Sequence, residues 1–348
     1  MDANQTEYLR KMKDERNYSL LPHNTFGIEA VCRRYVEFSS MEEARETAAL
    51  LRHEDTPFLI IGRGSNLLLT RDFEGIVVRS AIDDITLQPA GDHTLVRVGS
   101  GMEWDAFVAW CVEHDLHGAE NLSLIPGDVG ASAVQNIGAY GAEAADIIYK
   151  VEAVRIADGQ QVELKAEDCA YGYRQSRFKH EWKNQYLITH VVYRLSSVFV
   201  PQLDYGNIRA ELQQRGIGQP TAQALRDVII AIRQQKLPDP QVLGNAGSFF
   251  MNPVVGREVF ERLQRQYPEM PHYPVDALHE KIPAAWLIDQ CGWKGRSLGR
   301  AGVHDRQALV LVNRGGASGS EVVTLCHAIQ ADVRQRFGIE ISPEVNIV

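Results

Sequence analysis

The chain has 348 residues, 45% hydrophobic and 23% charged, which is the make-up of a soluble globular protein with too much sequence for one ordinary core; two or three domains are expected. Its net charge of −9 argues against a nucleic-acid or anionic-membrane partner, so any phosphate-binding cation must act locally, in a site. The five cysteines (Cys32, Cys111, Cys169, Cys291, Cys326) are odd in number and form no CxxC, which argues against a disulfide framework or zinc site and fits a reducing cytoplasm.

From the start, residues 1–19 are polar and lack a signal-peptide core, and no apolar run in the chain reaches transmembrane length. This stretch reads as a frayed extension on a cytoplasmic protein. Two short apolar runs follow, Phe58–Ile61 and 67–69, with Gly62, Arg63, Gly64, Ser65 and Asn66 between them: strand, tight loop, strand. Alternation at 95–98 predicts a strand, and apolar residues at 104, 107, 108 and 111 predict a helix over 104–114. A glycine-rich stretch covers 125–141, and strands are expected around 151–156 and 186–195. A helix over 221–235 is stopped by Pro238 and Pro240, which mark a linker. Beyond it, 284–291 reads as helix and 308–312 as a buried strand. Ser320 is the expected cap of a last helix that Gly338 ends. Strands alternate with helices, so the class is α/β or α+β rather than all-helical.

Two loops have the composition of cofactor loops. In 62–67, Gly62 and Gly64 let backbone N–H groups turn toward an anion, and Ser65 and Asn66 add donors ahead of Leu67. The loop leads into a second strand rather than a helix, so it is not the dinucleotide fingerprint; alone it reads equally as a tight hairpin with a surface Arg63. In 125–141, four glycines and few large side chains bring backbone close to something flat or to a pyrophosphate. Together the loops could clasp an extended FAD. An irregular loop is the plainer alternative for the second.

Three further places could carry chemistry. Arg174 and Arg177, flanked by aromatics, suit a carboxylate or an enolate-like oxygen, though solvated surface charge is the commoner use of either. Ser248 lies between small residues and Phe249-Phe250 with no G-x-S-x-G elbow, so a proton-delivering hydroxyl fits better than a nucleophile, beside the plain reading of a turn hydrogen bond. Glu344 stands in an apolar C-terminal run, where burial would suit it to acid/base work; an exposed edge-strand glutamate is the simpler reading of that run by itself. Lys236, in the linker, could meet a diphosphate. The eleven histidines show no HxH or HExxH spacing, and no metal site is expected.

Taken in order, 62–67, 125–141, 173–178, 236–240, 244–253, 285–292, 304–313 and 343–348 closely resemble the UDP-N-acetylenolpyruvoylglucosamine reductases of peptidoglycan synthesis. The resemblance spans nearly the whole chain after about residue 20. It implies an α+β fold of three parts: a vanillyl-alcohol-oxidase (PCMH-type) FAD-binding region at about 28–198, divided into an N-terminal subdomain (1–80) and a second subdomain (81–236), and a separate α+β domain for the UDP-sugar (237–337). The C-terminal segment (338–348) would pack back on the N-terminal subdomain.

The resemblance also implies two half-reactions. NADPH reduces a non-covalent FAD, and hydride then passes to the methylene carbon of UDP-N-acetylglucosamine enolpyruvate. Arg174 and Glu344 match the pair that stabilises the developing enolate, and Ser248 matches the proton donor. Gly62, Arg63, Gly64, Ser65, Asn66, Leu67, Ile125, Pro126, Gly127, Ser132, Asn136, Gly138 and Arg233 match the flavin contacts. Lys236 and Asn252 match the diphosphate contacts, with Tyr273 and Gln307 as helpers. Tyr205 matches the tyrosine of a substrate-covering loop found in one of two subtypes. Met251 stands where many members carry a basic residue, and the segment before Leu20 has no family counterpart. A monomer acting on a small molecule is expected. The competing readings are a flavin oxidase of sugars or alcohols and a nucleotide-sugar-binding module without catalysis.

Overall fold

The structure, a computed structural model, describes residues 12–348. The part of the expected N-terminal extension before residue 12 lies outside the described residues. Lys13–Ser19, expected to fray, is instead an edge strand of a four-stranded sheet ordered Lys13–Ser19, Val31–Phe38, Phe73–Ser80, Phe58–Ile61. It is held less by apolar burial than by charge: Asp14 takes a two-pronged contact from Arg34 at 2.7 Å, and Tyr18 stacks on Tyr35.

The backbone falls into two compact units. One comprises Met1–Tyr18, Cys32–Gly62 and Glu74–Ala231, the other Ser19–Val31, Arg63–Phe73 and Ile232–Val348. Residues of the first eighty are therefore shared between them.

In the first unit, Phe58–Ile61 pairs in parallel with Phe73–Ser80, so the alternative reading of 62–66 as a tight hairpin does not hold. Helix Met41–His53 starts where Ser40 accepts the Glu43 N–H at 3.1 Å. Its Ala44, Ala48 and Leu51 join a core with Val36, Phe38, Ile76, Val78 and Val154. A five-stranded antiparallel sheet follows, ordered Gln161–Lys165, Ile148–Arg155, Tyr186–Ser196, His93–Gly99, Ile85–Ala90. The strands predicted around 95–98, 151–156 and 186–195 lie in it, with ends shifted by a few residues. Helices Trp104–Glu113 and Val129–Gln135 cover one face around Trp104, Phe107 and Tyr193. The second of these helices lies inside the glycine-rich stretch 125–141, where Gly130 is a poor helix former. Packing overrides that: a Cβ at Gly130 would sit 2.9 Å from the Ser100 Cβ, so only glycine lets the helix lie this close.

The second unit is built around helix Gly319–Phe337, whose Val322, Leu325, Ile329, Val333 and Phe337 are buried. Ser318, not Ser320, caps it: Ser318 Oγ accepts the Glu321 N–H, and the Glu321 carboxylate reaches back to the Ser318 N–H at 2.9 Å. Gly338 ends it at φ +69°, as expected. Helices Arg257–Gln266 and Ala284–Gln290 and two three-stranded sheets pack around the same core, which includes Phe26, Leu68, Phe249 and Phe250. The strand expected over 308–312 is shorter and later, Leu311–Asn313. Asn346–Ile347 pairs in parallel with Leu67–Leu68. All five cysteines are free. Among the described residues, no helix is long and apolar enough to cross a membrane, and no group of three His, Cys, Asp or Glu is placed to hold a metal.

Candidate functional site

Within the first unit the two glycine stretches meet at Gly62. A Cβ there would come within 3.2 Å of Asp128 Oδ2 and 3.7 Å of the Ala131 Cβ, so the strand end lies close against 128–131 and a side chain would press on the Asp128 carboxylate. Asp128 is buried, with Arg79 3.5 Å away; Arg79 also donates to Glu37 at 2.9 Å, and Glu37 accepts the Tyr35 hydroxyl at 2.7 Å. Burial first, and Glu37 after it, push the Tyr35 phenol well above its ordinary pKa, so it stays a donor.

The approach to Gly127 is held from behind. Leu124 is left-handed (φ +57°), a strained state for a leucine, and its N–H donates to Asp105 at 2.5 Å. Arg226, 8% exposed, grips the same carboxylate with two bonds, 2.6 and 3.0 Å. Ile125 and Pro126 follow, and Gly127 turns at φ +132°, which favours glycine.

Ser132 and Asn136 are fully buried and engaged within the unit. The Ser132 hydroxyl contacts Val129 O and Tyr193 OH at 2.7 and 2.8 Å. Asn136, left-handed at φ +46°, donates to Glu143 and to Gly172 O and accepts from the Ala145 N–H. These two shape the loop through their side chains and leave backbone on its surface.

Asn136 also ties this loop to the arginine. Arg174, itself left-handed, donates to Gly138 O at 2.5 Å and to Asn136 O at 3.4 Å, and lies over the Tyr173 ring. A Cβ at Gly138 would strike Arg174 Nη1 at 2.8 Å. Gly138–Ala139 and Ala142–Glu143 form a small hairpin whose turn residues, Tyr140 and Gly141, both have positive φ. Tyr205, about half exposed, packs on that turn: a Cβ on Gly141 would meet its Cβ at 3.3 Å. The structure thus gathers Gly62, the 125–138 loop, Arg174 and Tyr205 in one unit.

In the second unit, Gly64 is buried against the His23 carbonyl, and its own carbonyl accepts the Thr25 N–H at 3.2 Å. Arg63 is exposed; Ser65 and Asn66 are half-buried. Asn66 donates its amide to Glu344 O at 3.2 Å, and its carbonyl accepts the Asn346 N–H at 3.1 Å. Glu344 is half-buried, not an exposed edge residue, and its N–H donates to Phe249 O at 2.8 Å. Ser248 precedes that carbonyl and follows Gly247, left-handed at φ +68°. Asn66, Ser248 and Glu344 are thereby brought together along one short run of backbone.

The remaining candidates are more scattered. Asn252 Oδ1 accepts the Ala284 N–H at 2.9 Å, so it starts helix Ala284–Gln290. Gln307 turns 307–310 through its carbonyl to the Val310 N–H. Tyr273, half exposed, opens the edge strand Tyr273–Pro274. Arg233 is half-buried and Lys236 exposed, both at the end of helix Ala222–Lys236. Sequence reading passed over Asp105, Arg226, Asp128 and Asn121. A charge set among Leu225, Val228, Ile229 and Ile232 was the available signal for Arg226, but nothing local marks its partner.

A profile described as "UDP-N-acetylenolpyruvoylglucosamine reductase, C-terminal domain" matches residues 239–348, and one described as "FAD binding domain" matches 32–165. A UDP-N-acetylenolpyruvoylglucosamine reductase of Bacteroides fragilis is 53% identical over 96% of this chain and 100% of its own. One of Pseudomonas aeruginosa is 48% identical over 96% of this chain and 98% of its own. Among solved structures, the UDP-N-acetylenolpyruvylglucosamine reductase of Thermus caldophilus shares the fold: TM-score 0.67, 22% identity, 97% of this chain and 99% of that one.

Proposed function

Because the chain belongs to the UDP-N-acetylenolpyruvoylglucosamine reductase family, we propose that its glycine loops hold FAD, that Lys236 and Asn252 meet the UDP diphosphate, and that Ser248, Arg174 and Glu344 complete the chemistry. The reaction is the FAD- and NADPH-dependent reduction of UDP-N-acetylglucosamine enolpyruvate to UDP-N-acetylmuramate, a step of peptidoglycan synthesis. The fold is the mixed α+β fold of that family, with an FAD-binding region.

The residues present fit FAD. The close approach of Gly62 to 128–131 supports a backbone-lined cradle, and Ser132 and Asn136 keep it in shape. Gly62, Arg63, Gly64, Ser65, Asn66, Leu67, Ile125, Pro126, Gly127, Gly138 and Arg233 would hold the group. No His or Cys in 62–66 could tether it, so it is non-covalent. Bound FAD supplies the hydride, received from NADPH, that the enolpyruvyl carbon accepts.

The observation that carries the catalytic roles is the lacing of Glu344 to the residue after Ser248. A hydroxyl on so constrained a backbone can deliver a proton in one direction, and a carboxylate-bearing residue tied by its backbone to the next residue can act on the same charge. Arg174, turned in by Gly138 and Asn136, presents a guanidinium suited to the substrate carboxylate. Tyr205 covers the sugar nucleotide, with Tyr273 and Gln307 as helpers. Residues 28–198 form the FAD-binding region, divided near 80, and 237–337 the sugar domain. The segment 338–348 serves the N-terminal subdomain; its strand pairing with Leu67–Leu68 supports that. The enzyme works as a monomer in the cytoplasm, a compartment that five free cysteines suit.

Anaerobic stopped-flow of both half-reactions, read at the flavin absorbance, tests the assignment. Colourless protein, or reduced flavin that reoxidises in air and ignores the enolpyruvyl sugar, overturns it.

A further inference from the structure

Asn121 is 5% exposed, and its one carboxamide donates to two carbonyls from distant segments: Tyr140 O at 2.9 Å and Gln202 O at 3.0 Å. Tyr140 is a turn residue of the hairpin whose other strand-end contact is Arg174, through Gly138 O. Gln202 lies in the stretch that leads to Tyr205. That stretch has no regular secondary structure from 197 to 204, and Val198 and Val200 are 65% and 75% exposed. The same two segments also interlock by shape, since Tyr205 packs on Gly141 and a Cβ on Gly206 would lie 4.0 Å from the Tyr140 ring.

Asn121 stands on a firm base. It lies in the short turn Glu120–Leu122, where Glu120 accepts from His117 Nδ1 and from the Gly118 N–H, both at 2.8 Å. Trp104 Nε1 holds Leu122 O at 2.9 Å, and Ser123 Oγ holds Glu120 O at 2.6 Å. A fixed amide whose two N–H groups serve two loops sets the position of each by the other.

We propose that Asn121 is a positioning residue for substrate binding, joining the Tyr205 loop to the Tyr140–Gly141 turn so that the loop and the Arg174 side of the hairpin are set together. The inference rests on the assignment of Tyr205 as the cover of the sugar nucleotide. Asn121 touches neither substrate nor cofactor; it fixes the place from which Tyr205 acts.

The test uses the FAD-loaded full chain carrying Asn121→Ala, and Asn121→Asp, which keeps the shape but turns a donor into an acceptor facing two carbonyls. FAD content and reduction by NADPH are expected to match the parent. Losing two net hydrogen bonds is expected to raise KM for the enolpyruvyl UDP-sugar about tenfold with kcat little changed. Amide hydrogen exchange at 199–207 is expected to speed up in the same variants. Tyr205→Ala is then combined with Asn121→Ala: a joint effect no larger than the greater single one supports coupling. Full additivity overturns the role of Asn121 and leaves that of Tyr205 standing. If Tyr205→Ala by itself leaves KM unchanged, the covering role fails, and faster exchange alone would not rescue the inference. Loss of FAD or of folded protein in both Asn121 variants shows a merely structural residue and also overturns it.

Discussion

Glu344 donates its backbone N–H to the carbonyl of Phe249 at 2.8 Å, which fixes a carboxylate-bearing residue next to Ser248. If Ser248 is the proton donor, Ser248→Ala leaves reduction of FAD by NADPH nearly intact and slows oxidation by the sugar by about 10²–10⁴-fold. The two rates are separated by stopped-flow; equal loss in both would mean that Ser248 only shapes the turn.

Lys236 is exposed at the end of helix Ala222–Lys236. Lys236→Ala is expected to weaken binding of the UDP-sugar by about 10–100-fold, the worth of one charged hydrogen bond, and to leave the NADPH half-reaction alone. Titration of the flavin spectrum with substrate reads this directly. An effect confined to rates at saturating sugar contradicts the diphosphate role.

Removing the Asp105 carboxylate strands Arg226 in a site where it is 8% exposed and frees the strained Leu124. Asp105→Ala is expected to destabilise the protein by about 3 kcal/mol, from the uncompensated buried charge, and to weaken FAD retention because 124–127 loses its anchor. Urea unfolding and the flavin content after gel filtration measure the two effects.

Acid should destabilise the first unit in two stages. Burial, then the neighbouring Arg97, holds the His190 imidazole below 6.5 even though Asp84 lies 3.0 Å away. The unfolded chain therefore binds that proton first, and stability falls as pH drops below about 6.5 toward the folded value. Burial alone would raise the Glu152 carboxyl, but Arg97 at 2.8 Å and Lys150 at 3.2 Å outweigh it, leaving the pKa below 4.5. Its contribution is present above 4.5 and is lost as pH falls through the folded value. Melting temperature against pH should lose its lower step in Glu152→Gln and its upper step in His190→Gln.

Two glycines separate backbone strain from collision. Gly216 has φ +72° and open space around it, so Gly216→Ala is expected to cost about 1–2 kcal/mol. Gly64 has φ +69°, but an added Cβ would lie 1.9 Å from the His23 carbonyl oxygen, with backbone on both sides. Gly64→Ala is expected to yield no stably folded protein or to lose FAD, which thermal melts of the two variants would show.

Periodicity made the long elements legible. The helices starting at Trp104, Ala222, Ala284 and Gly319 and the strands around 95, 151 and 186 follow from 3.6- and two-residue patterns, with ends off by a few residues. What failed was decided by distant partners. The 129–135 helix defied its glycine because Ser100 leaves no room there, and Lys13–Ser19 became a strand because Arg34 reaches Asp14. Ser320 lost the cap to Ser318 because only from 318 can Glu321 close the box. Among the candidate residues, Gly62, Gly138 and Ser248 carried local signals, whereas Arg174 and Glu344 stood out only through the family resemblance. Asp105, Arg226 and Asn121 had neither, because each matters through a partner that is remote in sequence.

The parallel pairing of Asn346–Ile347 with Leu67–Leu68, reinforced where Thr70 holds the Val348 carbonyl from 278 residues away, also sets an order of assembly. On the ribosome, the 62–67 loop emerges early, but the backbone partners of Asn66 and Leu68 at 344–348 are made last. The pairing that completes this segment is therefore a late event, waiting on loop closure over nearly the whole chain. With FAD held by this loop as proposed, flavin retention would begin only as synthesis draws to its end.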